Sequence, residues 1–199
     1  MDENDGFNGF GYKMSWLAIP TTDSQAITDA LGLRQTAPAS WRDGIAAVYE
    51  GDSIFVTPPV SGWTLAVGKD MPTAGDEPWI PFLEGVSQKL THVQYFGTHR
   101  GVDYQAWATA QSGRIIRAYS NGEDGVRDIG DKTPEEIALG FNFLGDDATE
   151  EDYEAYRARD EAASPDEESV MQIAGKWSIN PTSLDPATLT GTGILGTLP

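Results

Sequence analysis

The chain has 199 residues, 39% of them hydrophobic and 10% aromatic, no cysteine, and a formal net charge of −18. That is enough apolar surface for a folded core, which argues against disorder, and the lack of thiols removes disulfides, thiolate nucleophiles and thiolate metal sites together. A field of this sign repels nucleic-acid phosphate and anionic lipid, so direct nucleic-acid or membrane binding is not expected, while basic proteins would be attracted.

The start, MDENDGFNGFGYKMSW, lacks the basic and apolar regions of a signal peptide, and no apolar run approaches a membrane span, so a cytoplasmic protein is expected. YKMSWLAIP reads as a strand, followed by a helix over TTDSQAITDALGL with Asp23 or Ser24 as cap and Gly32 as stop. RQTAPAS reads as a loop, and IAAVYE, GDSIFVTPP and GWTLAVG as three short strands. The proline-rich KDMPTAGDEPWIP reads as a surface loop ahead of a short helix in PFLEGVSQKL, where Phe82, Leu83, Val86 and Leu90 fall at helical spacing.

HVQYFGTH, DYQAWATA and GRIIRAYS carry the densest strand signal, with the turn QSG before Gly113 joining the last two. NGEDGVRDIGD could add an edge strand. TPEEIALGF has Thr133 as cap, Pro134 at the first helical position and two glutamates in the first turn, which together specify a helix. Residues 145–165 are strongly polar and read as an exposed helix or connector. SPDEESVMQIAGKWSI recovers an apolar face behind a cap at Ser164 or Asp166, and the terminal LTGTGILGTLP reads as extended or frayed. The resulting expectation is an α+β fold: a mixed, mainly antiparallel sheet with helices packed on one face, built as a core over 1–144, an acidic connector over 145–165, and a helix and tail over 166–199 that pack on the core.

Chemistry-bearing residues are sparse. In YFGTHRGVDYQAW, Thr98, His99 and Asp103 are the residue types of a nucleophile, base and orienting carboxylate, but neighbours on an extended chain point to opposite faces, so His99 and Asp103 are only weak catalytic candidates. A histidine at a strand end, with Arg100 paired to an acidic neighbour, is the plainer reading. His92 and His99 lie seven apart, a spacing that separates them on a strand, and GDDATEEDYEAY lacks the central glycine of a calcium loop, so no metal is expected. GFNGFGY and GTGILG lack the strand-to-helix context of a phosphate loop, and no cofactor is expected. Arg114 and Arg117, three apart, would face opposite sides of a strand and serve the fold.

The positive feature is charge placement. Residues 121–170 hold 17 acidic and four basic residues, −13 of the total −18. Tyrosines among carboxylates can anchor an interface whose rim steers a cationic partner, so Asp146, Asp147, Glu150, Glu151, Asp152, Tyr153 and Tyr156 are the candidate partner-binding residues.

The stretches FVTPPVSGWTLAVG and VQYFGTHRGVDYQAWATAQSGRIIRAY, within residues 54–119, resemble uncharacterised bacterial proteins similar to the acidic immunity proteins of polymorphic toxin systems. The resemblance implies a cytoplasmic inhibitor that caps a toxin domain by surface complementarity, with a basic protein as partner; it transfers no site residues. The alternatives are a hydrolase with a site near His99 and an acidic structural or nucleic-acid-mimicking protein.

Overall fold

A computed structural model describes residues 9–123, 125–141, 149–157 and 165–199. Its centre is β1 (Met14–Ile19), whose six residues are all buried. Trp16 and Ala18 enter one apolar cluster, while Leu17 and Ile19 enter another on the opposite side. A strand covered on both faces reads as a continuous apolar run rather than an alternation.

β1 is fifth in a nine-stranded sheet of order β2-β9-β3-β4-β1-β5-β6-β7-β8, antiparallel at every ladder. The remaining strands are β2 (Arg34–Ala39), β3 (Ile54–Val56), β4 (Thr64–Gly68), β5 (His92–His99), β6 (Tyr104–Gln111), β7 (Arg114–Gly122), β8 (Gly125–Ile129) and β9 (Gly193–Thr197). The α+β class and the antiparallel sheet agree with the sequence reading.

The helices, however, divide between both faces of the sheet rather than covering one. Helices α1 (Ser24–Leu31) and α3 (Trp79–Leu90) place Ile27, Leu31, Trp79, Leu83 and Val86 with Leu17, Ile54, Val56 and Tyr95. Helices α2 (Trp41–Glu50) and α6 (Glu167–Trp177) place Trp41, Val48, Val170, Met171 and Ile173 with Trp16, Phe55 and Phe96. Such a division follows from strands whose alternate residues are all large and apolar, because each face then needs its own cover. Each fully buried large side chain contributes roughly 1.5–3 kcal/mol.

Local signals explain the helix boundaries. Asp23 accepts from the Ala26 N–H at 3.0 Å, and Gly32, at φ 67°, closes α1 with the Leu33 N–H bonded to the Thr28 carbonyl at 3.1 Å. Helix α4 (Pro134–Ala138) begins in a reciprocal box: Thr133 Oγ1 accepts from the Glu136 N–H at 3.3 Å, and a Glu136 carboxylate oxygen accepts from the Thr133 N–H at 2.7 Å. Asp166 and Ser169 make the same exchange at the start of α6.

Several expectations are corrected. IAAVYE is not a strand: Trp41, Gly44, Ile45 and Val48 are the buried residues of α2, a spacing of three, four and seven that only a helix brings to one side, and Ser40 caps it. RQTAPAS is not a loop: Arg34–Ala39 form β2, an edge strand with an exposed surface, where proline is tolerated. The helix expected from Pro81 starts at Trp79. The terminal segment is no frayed end, since β9 lies between β2 and β3 inside the sheet. Finally, Arg114 and Arg117 share a face, because a bulge between their pairings with Gln111 and Thr109 inserts Ile116 as an extra residue.

Candidate functional site

β5 and β6 form a hairpin joined by a 3-10 turn, Arg100–Val102, and by Asp103 in the left-handed region. Thr98, His99 and Asp103 therefore lie close in the chain but are not assembled. Thr98 Oγ1 donates to the Gly11 carbonyl at 3.0 Å and accepts from the Lys13 N–H at 3.1 Å, on the face opposite His99. Asp103 accepts from Gln105 Nε2 at 3.0 Å. The exposed Arg100 lies 3.9 Å from the half-buried carboxylate of Glu167. No nucleophile, base and carboxylate come together here.

His92 is likewise separate from His99. Its Nε2 lies 3.0 Å from Thr109 Oγ1, its ring meets the edge of Trp63 at 6.3 Å, and burial lowers its pKa. Among the described residues there is no group of three or more histidine or carboxylate side chains placed to hold a metal ion, and no helix long and apolar enough to cross a membrane.

His99 does, however, line a cavity of about 410 Å³. Strand register builds it. His99 pairs with Tyr104, Ala106 with Ser120, and Ser120 with Arg127, so His99, Tyr104, Ser120 and Arg127 stand on one face in a row across β5 to β8. The loop residues Thr73, Ala74 and Gly75 also line it, as does the exposed Glu123.

Beneath this cavity runs a chain of hydroxyls. The Ala74 N–H donates to the Tyr104 oxygen at 3.1 Å, Tyr104 and Tyr95 hydroxyls lie 3.1 Å apart, and the Tyr95 hydroxyl lies 2.9 Å from Ser15 Oγ. Gly97 makes room for it, because a Cβ there would stand 2.8 Å from the Tyr95 hydroxyl and 3.2 Å from Ser15 Oγ. Burial pushes the Tyr95 phenol up to about 12 and raises Tyr104 well above its ordinary value. Arg127 spreads its guanidinium over the Trp79 ring at 5.9 Å.

The cavity residues other than His99 escaped the sequence reading. Tyr104, Ser120 and Arg127 are dispersed over 24 positions with no motif spacing, and only strand pairing unites them. Arg117, by contrast, serves the fold as expected, through a fully buried ion pair with Glu136.

Of the acidic candidates, Asp146 and Asp147 lie outside the described residues. Glu150, Glu151, Asp152, Tyr153 and Tyr156 fall on helix α5 (Glu150–Arg157), where Glu150 and Glu151 are exposed. Comparison of the chain with protein-family models, with curated proteins and with solved structures finds no match.

Proposed function

We propose that the protein is a cytoplasmic, immunity-type binding protein that neutralises a cognate toxin domain or other basic protein by surface complementarity. The observation that carries this reading is the imbalance of charge: 31 acidic residues against 13 basic ones leave at least 18 carboxylates without a one-to-one cationic partner. Most of that surplus lies in residues 121–170. Helix α5 exposes Glu150, Glu151 and Glu154, and the start of α6 exposes Asp166 and Glu168 nearby in sequence. Unneutralised like charges oppose the folded state by self-repulsion, and a cationic surface would relieve that cost on binding while steering fast encounter.

The test is affinity capture of the full chain from lysate of its source at low and moderate salt. A stoichiometric basic protein that is released as salt rises supports the reading, because exposed charges separated by more than about 8 Å are screened at physiological ionic strength. Replacing Glu150, Glu151 and Asp152 by glutamine should then slow association. Retention of the partner at unchanged rate by that variant would overturn the assignment of this surface.

A further inference from the structure

The cavity at His99 is independent of the acidic surface, and its chemistry differs. In a chain with more than twice as many acids as bases, Arg127 lines the cavity with no carboxylate partner among the described residues, held instead over Trp79. His99, from the neighbouring hairpin, makes no side-chain hydrogen bond among the described residues. A guanidinium and an imidazole ring N–H are both hydrogen-bond donors, and both border the same space.

The hydroxyl chain adds a third donor by an argument from satisfaction. Ser15 is buried, and among the described residues its hydroxyl has no partner but Tyr95. Its hydrogen is accommodated only if Ser15 donates to Tyr95. Tyr95, fully buried, must then donate to Tyr104. The Tyr104 oxygen now accepts from both Tyr95 and the Ala74 N–H, which leaves its own hydrogen to be given into the cavity. The reverse direction would strand the Ser15 hydrogen in the core, where an unmatched polar group costs stability.

We infer that this cavity is a binding site for a small organic acid, its carboxylate received by Arg127, His99 and Tyr104. The planar guanidinium fork matches a carboxylate, and the volume is that of a small-molecule site. Two acids bear on the site: Glu123, an exposed residue of the lining, and Asp76, which acts electrostatically on both tyrosines while accepting from the Thr73 N–H at 2.7 Å and the Thr73 hydroxyl at 2.9 Å; among the described lining residues Glu123 is the one carboxylate, set against the three donors Arg127, His99 and Tyr104. A cation would instead meet Arg127.

The experiment is a heteronuclear NMR titration of the full chain with succinate, benzoate and inorganic phosphate in turn, at constant ionic strength. Expected is a saturable shift of the His99 ring and of the Ala74, Tyr104 and Arg127 amides with at least one carboxylate. Arg127→Gln, at a half-buried position, should weaken that binding about tenfold or more, the scale of a lost charge-assisted hydrogen bond. Tyr104→Phe should weaken it severalfold while His99 and Arg127 remain in place. Saturation by phosphate without any response to the carboxylates would overturn the ligand class. Binding that survives Arg127→Gln unchanged, or no saturable shift with any of the three, would overturn the site. None of these outcomes bears on capture of a basic protein by the acidic surface.

Discussion

Arg117 donates through Nε to both carboxylate oxygens of Glu136 at 3.0 Å, and neither side chain has any accessible surface. The pair ties α4 to the sheet. Trp107 Nε1 donates to the same carboxylate at 2.8 Å, and the other end of the guanidinium donates to Asp128 and to the Ala118, Ile129 and Gly130 carbonyls. Arg117→Met would leave the Glu136 charge buried without its partner and should cost about 3–5 kcal/mol in chemical denaturation. Combined with Glu136→Gln, the loss should fall short of the sum of the single losses, since the two residues act as one unit.

Glu136 also sets an acid limit. Burial alone would raise its pKa, but hydrogen bonds from Arg117, the Thr133 backbone and Trp107 outweigh burial and hold it below the ordinary 4.5. A carboxyl whose folded pKa is depressed contributes stability that is complete above its unfolded value and is lost as pH falls through the folded one. Unfolding free energy measured from pH 6 downward should therefore decline below about pH 4.5 more steeply in the native chain than in Glu136→Gln.

The tyrosines set the opposite limit. Burial raises both Tyr95 and Tyr104, so the folded chain holds these protons more tightly than the unfolded chain, whose phenols titrate near 10. Stability is then intact below pH 10 and falls as pH rises towards the folded value of about 12 for Tyr95. Absorbance at 295 nm should show Tyr95 and Tyr104 among the tyrosines that ionise late, together with loss of the fold. In Tyr95→Phe the alkaline decline should be shallower, at the expense of about 1–3 kcal/mol at neutral pH from the unmatched hydroxyl of Ser15.

Gly44 lies within α2, where alanine would ordinarily gain about 1 kcal/mol. Here a Cβ would stand 2.4 Å from the ring of Phe55, which is fully buried and packed edge-on against Trp41 at 6.1 Å. The ring has nowhere to retreat. Gly44→Ala should thus lower the thermal midpoint, with overpacking of about 1–3 kcal/mol exceeding the helical gain.

These residues show what the sequence made legible. The capped helices α1, α4 and α6 and the strands from β1 to β8 that alternate or run apolar were recoverable because their signals are local. IAAVYE misled because alanine, valine and tyrosine suit a strand by composition, while the helical period is visible only when Trp41 and the Ser40 cap are counted with it. β2 has no buried residue to give it a period. The cavity was out of reach for a geometric reason. The two-residue turn at Ser112 and Gly113, both at positive φ, fixes the first pairs of the β6–β7 hairpin, but the bulge at Ile116 then shifts the register by one. Counting back from the turn would put Ser120 opposite the wrong residue and reverse the faces of Tyr119 and Ser120. His99 could be noticed as a residue type; its partners could not be found by counting.

The placement of β9 has a consequence for how the chain is made. Because residues 193–197 fill the gap between strands that begin at residues 34 and 54, a nascent chain carries β3 as a bare edge, and β2 has no neighbour to join, throughout synthesis of the intervening 136 residues. Seven of the nine strands, β1 and β3 to β8, can pair before β9 is made; the flank beyond β3 must wait. An unpaired apolar strand in that interval is a template for pairing with other chains, so the exposed, proline-bearing β2 and the three-residue length of β3 also serve as protection during biogenesis.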